Sequence, residues 1–574
     1  MDGLNLKSSN LYLRIIAASL PVLLFAYDLS HSQTIPPPSD ASGSFLKDNV
    51  RLGGEIGVYG ELYGMKGQAA RRPSSTARLF FRPSVTFFNS LSLNFDFLLS
   101  TEGSNARQDI NQLGIHPAWG WGRAHAGDFS ENFSPYTLSG ILVRGGGISI
   151  NPGNFRLSAV GGFTKRAVSG GAETGAYDRY LYGGKIGIGR EEGSFFDLVF
   201  LRARDKASSL HQSTTPSSAD SLSPTTPTPE PYEITPQENL LVGAIANFSL
   251  FDDHLTWRTE ADGSLFTRDM GGRADTTIKL PDFVKSVYKP NLSSNVDLAV
   301  SSEMNLNLPS VGLRTAYRYI GPGYASLGVG TLLNDLQEFF FSPTVRFAGG
   351  SISLDWLRQN DNLAHQKLFT QVRNIYNGNL GFQVTQSWYS SFMGNYTTTA
   401  NNSTNDTSKV DFTNLLLGTS QMLTFEQGFI LQNIAAYFSY QHSGDDSPLR
   451  ANTRSITRSF TLSGGVPLTP AFMVTPSVGV VSSSFSQRAT LQIQSYSVSL
   501  QHRALENRLT TVFSLGTSFA NDNNNSYRTA LTSNYLLTSS DNVSVSVYMT
   551  NFRGGDSARK FDETVASLNI SHRF

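Results

Sequence analysis

Segments of about ten residues that alternate apolar and polar side chains run through most of this chain, and that period of two leaves few folds open. Leu91, Leu93, Phe95, Phe97 and Leu99 alternate with Ser92, Asn94 and Asp96. Leu255, Trp257, Ala261 and Leu265 oppose Thr256, Arg258, Glu260, Asp262 and Ser264. Ile352, Leu354 and Trp356 oppose Ser351, Ser353 and Asp355, and Val543, Val545, Val547 and Met549 oppose Ser544, Ser546 and Thr550. From Arg51 onward about 26 such segments can be counted, with about 22 to 26 compatible with the pattern. Each takes roughly 21 residues, which covers a spanning strand and its connection.

The connectors sort by parity. After even-numbered segments they are short: Asn89-Ser90, Asn151-Pro152-Gly153-Asn154, Asp252-Asp253, Pro309-Ser310, Gly349-Gly350, Asn377-Gly378, Glu426-Gln427-Gly428 and Ser539-Ser540-Asp541-Asn542. Several place Asn, Asp or Gly where a tight hairpin needs positive φ. After odd-numbered segments they are mostly longer and polar: Lys165–Arg179, Lys206–Pro236, Thr267–Lys289, Gly323–Glu338, Asn395–Lys409, Ser443–Asn452, Asn521–Ser526 and Arg553–Glu563. Short turns at one rim and long loops at the other predict one closed antiparallel barrel, all-β, rather than a sandwich or propeller. An x-Pro-Ser/Thr-Val echo predicts bulges at Pro83, Pro343 and Pro476, because proline cannot donate to a ladder. A switch of apolar parity between Leu491 and Leu500 predicts another bulge.

The sequence ends in Val565-Ala566-Ser567-Leu568-Asn569-Ile570-Ser571-His572-Arg573-Phe574, with Ala566, Leu568, Ile570 and Phe574 on one face. This ending resembles the assembly signal of Gram-negative outer-membrane β-barrel proteins, departing from it at His572, where that class usually places Tyr or another large apolar residue. The resemblance implies a single large transmembrane barrel in contact with outer-membrane lipid. It also implies insertion by the outer-membrane assembly machinery through Leu568, Ile570 and Phe574. Lys7 and Arg14 precede the apolar stretch Ile15–Ala26, which reads as an export signal over residues 1–32, with cleavage before Gln33 allowed by Ser30-His31-Ser32. Residues 33–50, with Pro36-Pro37-Pro38, then form a short periplasmic tail ahead of a barrel over 51–574. Such a tail leaves no room for a plug domain, so inward-folded loops, flattening or another protein must narrow the lumen. Lys206–Pro236 and Thr267–Lys289 are the expected inward loops; the Pro/Ser/Thr bias of the first also suits an outward, disordered role. These two and 395–409 are the notable extracellular loops.

Composition removes several function classes. Hydrophobic residues make up 39% of the chain, mean hydropathy is −0.20, and no later apolar run is long enough for a membrane helix. Lys+Arg 45 against Asp+Glu 45 leaves no basic field for nucleic acid. The absence of cysteine removes disulfides, thiol catalysis and cysteine-based zinc sites.

The densest unusual stretch runs from His116 to Phe129. His116, His125 and Asp128 are residue types that ligate metals, but their spacing matches no compact ligand motif. Trp119-Gly120-Trp121 reads instead as a turn with interfacial tryptophans, so no metal or other cofactor is expected. The glycines at 145–147, 161–162 and 183–189 lack the Lys-Ser/Thr of a phosphate loop and read as relief of crowding. With no Gly-x-Ser-x-Gly elbow and nine scattered histidines, no enzyme is expected. What remains are inward-facing charges: Arg82, Asp96, Arg258, Glu260, Asp262, Arg314, Arg318, Arg346 and Asp355. They either line an aqueous path or pair along the wall. The expected function is a porin-like passive channel for small polar solutes. The alternative is a surface barrel, docking or secretion-associated, that conducts nothing itself and depends on a plug or surface protein partner.

Overall fold

A computed structural model describes residues 49–102, 111–168, 175–210, 234–275, 277–278, 281–425, 430–450, 453–555 and 559–574. The export signal, the tail up to residue 48, residues 211–233 of the Lys206–Pro236 loop and the Glu426-Gln427-Gly428 turn lie outside the described residues.

Among the described residues, twenty-six strands follow one another. The first nine are β1 (Val50–Lys66), β2 (Ser75–Phe87), β3 (Leu91–Ser100), β4 (Gln112–Trp119), β5 (Gly122–Phe129), β6 (Val143–Ile150), β7 (Phe155–Lys165), β8 (Arg179–Gly189) and β9 (Phe195–Asp205). Next come β10 (Glu238–Leu250), β11 (Leu255–Thr267), the one-turn α1 (Asp282–Lys285), β12 (Ser294–Asn307), β13 (Val311–Ile320), β14 (Leu336–Phe347), β15 (Gly350–Asn360), β16 (Gln371–Thr385) and β17 (Trp388–Asn401). The last are β18 (Asp411–Thr424), β19 (Asn433–Asp445), β20 (Ser455–Thr469), β21 (Phe472–Phe485), β22 (Arg488–Ala504), β23 (Leu509–Ala520), β24 (Asn525–Leu536), β25 (Asp541–Arg553) and β26 (Phe561–Arg573).

Each strand pairs antiparallel with its chain neighbours, and β1 pairs with β26 from Glu55↔Arg573 to Lys66↔Asp562, which closes the barrel. Reciprocal backbone bonds between Gly54 and Phe574 extend that seam. Even-to-odd connections stay short because the turn residues permit it: Phe88 and Asn89 both adopt left-handed φ (51° and 52°), the geometry of a tight hairpin.

Following the registers around the wall divides every strand into two faces. One carries exposed apolar residues such as Phe196, Leu198 and Phe200 on β9 and Ile186 and Ile188 on β8. The other carries Asp197, Leu201, Glu260 and Asp262, all buried at 2% exposure or less. The exposed apolar face points outward and the polar face into the lumen. Outward aromatics pair directly across strands, as Phe248 does with Trp257 at 5.5 Å and Tyr376 with Tyr396 at 6.2 Å.

Several local expectations are corrected. Asn377-Gly378 lies in the middle of β16, hydrogen-bonded into ladders on both sides, and the turn falls at 386–387. Residues 395–401 belong to β17, leaving 402–410 as the loop. Pro83, Pro343 and Pro476 do not add a residue to any strand. Pairing lapses beside each one on one neighbour and resumes in the same register, as from Phe341↔Trp356 to Thr344↔Ser353. A missing N–H costs one ladder bond but does not force a bulge. β22 keeps one register against β21 from Leu491 to His502, with Gln492 and Gln494 on the outward face beyond the apolar positions Tyr496 and Val498. One odd-to-even connection, at 486–487, is itself a tight turn.

Candidate functional site

Among the described residues, two connections on the long-loop side fold into the lumen, and neither belongs to Thr267–Lys289, one of the two loops expected to do so; most of the other, Lys206–Pro236, lies outside the described residues. Residues 130–142 join β5 to β6, and residues 321–335 join β13 to β14. The described part of Thr267–Lys289 instead packs over its own strand ends, where the buried Tyr288 hydroxyl bonds Thr267. It contributes nothing to the luminal cluster.

The inward turn of 130–142 follows from its sequence. Phe133, Tyr136 and Leu138 have an apolar surface to meet: Val160, Leu181, Leu201, Leu241, Ile245 and Ala299 line the lumen on β7, β8, β9, β10 and β12 and bury against them. Leu138 is fully buried, which contributes about 1.5–3 kcal/mol. The second segment docks on the first through Ser139 N to Gly328 O (3.0 Å), the Tyr324 hydroxyl to Tyr136 O (3.1 Å) and the Ser326 hydroxyl to Thr137 O (2.7 Å). It reaches the wall where Asn239 Oδ1 accepts from Leu327 N and the Ser264 hydroxyl donates to Ala325 O. Gly328 permits this approach, since a Cβ there would sit 2.3 Å from Thr137 O. Gly147 similarly leaves room for the Phe129 ring, whose edge would stand 2.7 Å from a Cβ.

Charge is concentrated beneath these segments. Arg156 makes a bidentate pair with Asp197 (2.8 and 3.0 Å), both side chains at least nine-tenths buried. Lys185 Nζ stands 3.9 Å from the same carboxylate. Glu131, on the inward segment, meets Arg123 at 2.9 Å and His125 at 3.5 Å. Burial opposes its ionisation, yet the His125 and Arg123 side chains more than offset this and hold its carboxyl below the usual carboxylate range. Nearby, burial pushes the Tyr136 and Tyr324 hydroxyls up, and for Tyr324 the neighbouring Asp262 and Glu260 carboxyls add to the effect. At the end of the second segment, Asp335 accepts from Asn362 N (3.0 Å), Leu363 N (2.8 Å) and Lys367. Burial raises the Asp335 carboxyl, but Lys367 and those two backbone donors prevail and hold it below the usual aspartate value.

All nine charged residues singled out from the sequence fall on the luminal face, in two groups. Arg258, Glu260 and Asp262 stand in consecutive inward positions on β11 under the folded-in segments. Glu260 Oε1 and both Asp262 oxygens are buried without a hydrogen-bond partner. The others pair along the wall: Arg82 with Asp96 (3.0 Å), Arg314 with Glu303 (3.0 and 3.1 Å) and Arg318 with Glu338 (3.5 Å). Asp355 accepts from Ser342 (2.6 Å), and Arg346 donates to Leu308 O (2.9 Å).

Arg156, Lys185 and Asp197 escaped the sequence reading. Their signal is a charge bracketed by outward apolar residues, as Arg156 is by Phe155 and Leu157 and Asp197 by Phe196 and Leu198. His116 and His125 do meet, their Nδ1 atoms 3.0 Å apart in the lumen, while Asp128 projects from the other face and binds Arg144 at 2.7 Å. The three do not converge on one point, and Trp119-Gly120-Trp121 forms the expected turn at the short-turn rim.

No protein-family description matches the chain, and no curated protein matches it. Solved structures with a similar outline include the P pilus usher (PapC) translocation pore, at 10% identity over 91% of this chain and 99% of that chain, with a TM-score of 0.35. The siderophore receptor PirA from Pseudomonas aeruginosa aligns at 10% identity over 91% of this chain and 80% of its own, with a TM-score of 0.40. An anion-selective porin from Comamonas acidovorans aligns at 7% identity over 48% of this chain and 93% of its own, with a TM-score of 0.26. At these scores the likenesses carry no functional argument, and the geometry of this chain has to supply it.

Proposed function

We propose that the chain is an outer-membrane β-barrel that acts as a porin-like passive channel for small polar solutes. The membrane part of this reading is supported by the continuous outward apolar face, which in water would exceed any patch a soluble monomer tolerates. Exposed aromatics collect towards both ends of the strands, with Phe251, Trp257 and Phe347 at the short-turn rim and Phe163, Tyr180 and Tyr527 at the other, as interfacial girdles do. On this reading Leu568, Ile570 and Phe574 serve recognition by the assembly machinery. The outward His572 is tolerated because Asp541 binds it at 2.7 Å, leaving it 5% exposed.

The channel part rests on one observation: the inward segments fill only one sector of the lumen. Among the described residues, the luminal cluster takes no strand residue beyond β13. In the other sector the inward Met393 remains 38% exposed. The charges Arg82, Asp96, Arg258, Arg314, Arg318, Arg346 and Asp355, with Glu303 and Glu338 paired to two of these arginines, then belong to the channel wall, both signs present and no strong ion preference, while Glu260 and Asp262 lie covered beneath the inward segments. Single-channel recording of the purified barrel in a planar bilayer tests this. Steady openings with weak selectivity are expected, and a folded barrel that passes no current overturns the reading. The sector that the described residues leave unfilled also fits a second reading, in which a partner protein occupies it; silence together with a stoichiometric co-purifying protein supports that one.

A further inference from the structure

Below Phe133-Ser134-Pro135 of the first inward segment, towards the short-turn rim, lies a luminal cavity of about 330 Å³. It adjoins a second of about 680 Å³, with which it shares Asn132, Arg156, Lys185 and Glu191. Its lining carries three cations, Arg156, Lys185 and Arg258, against two carboxylates, Glu191 and Asp197. The carboxylates are taken. Asp197 accepts both bonds of the Arg156 fork, and Glu191 accepts from Asn151 Nδ2 at 2.9 Å.

The cations are not all satisfied. Arg156 Nη1 is buried without a partner, although its side chain is only 7% exposed. Arg258 makes no ion pair within 4 Å among the described residues, although the Glu260 carboxyl attracts it from further along the same strand; its guanidinium lies 6.0 Å from the Phe195 ring, and that of Arg156 lies 4.3 Å from the same ring. Lys185 Nζ sits 5.6 Å from the Phe133 ring and beyond hydrogen-bond reach of Asp197. A buried donor left unpaired is costly, so the site is held with an unmet demand for an acceptor.

We propose that this cavity binds a small organic monocarboxylate between Arg156 Nη1, Lys185 and Arg258, with its apolar part against Phe133 and Pro135. A single negative charge matches the surplus of one cation, whereas a phosphate dianion would face Asp197 and Glu191 as well. The inference deepens the channel reading and rests on it, because the ligand reaches the cavity through the lumen. The site would give the channel a preferred solute class despite its balanced overall charge.

The test is benzoate binding to the purified full-length barrel in detergent by calorimetry, with benzyl alcohol as the neutral control and inorganic phosphate as the competing anion. Saturable benzoate binding is expected, with no binding of benzyl alcohol. R258Q, at a position open to the lumen, and K185Q should each weaken benzoate at least about tenfold, the loss of one charge-assisted contact. R258Q guards against misfolding of the more buried K185Q, and both variants are checked for heat-modifiable migration. Non-saturable benzoate binding, unchanged affinity in R258Q, or tighter binding of phosphate than of benzoate overturns the proposal. Bilayer recording separates the two failures: a barrel that conducts but ignores benzoate sinks the site alone, and one that binds benzoate without conducting sinks the channel reading alone.

Discussion

The two halves of the wall are built from the same alternating strands but are finished differently inside. From β5 to β13 the lumen holds buried ion pairs and the two inward segments. From β19 to β26 it holds hydroxyl pairs, among them Ser439–Ser459 (2.6 Å), Thr457–Ser483 (3.0 Å), Ser499–Ser514 (2.8 Å) and Ser546–Ser567 (2.7 Å). Strand alternation alone therefore closes the barrel, while charge is concentrated where a second layer covers it. A hydroxyl facing water needs no fixed partner, whereas a carboxylate under Leu138 and Tyr324 needs either a cation or a proton.

Substitutions should break this contrast in graded steps. D197N leaves Arg156 buried without its counter-ion and is expected to destabilise the barrel by about 3–5 kcal/mol, read as a lower urea midpoint for loss of heat-modifiable migration. D262N should act in the opposite sense. It removes one of two adjacent unpartnered carboxyls and gives Glu260 an amide donor, so a gain of roughly 1–3 kcal/mol is expected in the same assay; a loss would mean that Asp262 has a partner such as a bound cation.

G328V drives a side chain into Thr137 O and Leu201, costing about 1–3 kcal/mol. It should also lift the 321–335 segment, seen as a larger unitary conductance; an unchanged conductance would show that the segment does not narrow the path. The Asp335 anchor has its own pH signature. Because its carboxyl is held below the usual value, the stabilisation is complete above the ordinary aspartate range, near about 3.9, and is lost only as pH falls through the depressed folded value. Hydrogen exchange at Asn362 and Leu363 should stay protected at pH 5 and speed up only below about pH 4. In the hydroxyl-lined half, S546A should cost no more than about 1 kcal/mol, and a larger loss would refute the contrast.

Strand number, closure and face assignment were legible in the alternation, because burial against lipid or lumen acts on every second residue and leaves a periodic trace. Asn377-Gly378 misled because turn chemistry is a local preference, and two flanking ladders from β15 and β17 override it. The actual turn at Gln386-Ser387 carries no strong turn former; Thr424 N to Ser387 O (2.8 Å) ties it to the wall. The inward path of 130–142 was illegible for a different reason. Phe133, Tyr136 and Leu138 do not announce a destination, which exists only once Leu181, Leu201, Leu241 and Ala299 have been brought side by side from four strands. The nine wall charges could be placed on the correct face, but which of them would be covered depended on that same assembly.

The seam between β1 and β26 sets the order in which this molecule can be made. Every other strand pairs with a chain neighbour and can form as a hairpin, whereas here the Tyr63 hydroxyl must find Glu563, 500 residues away. Bringing such distant ends together costs about 5–6 kcal/mol of loop entropy before any bond repays it, so closure comes last. Until then the chain is an open sheet with two long unpaired edges, the arrangement most prone to pair with a second copy. Whatever shelters those edges before the seam closes therefore bears directly on the yield of folded barrel.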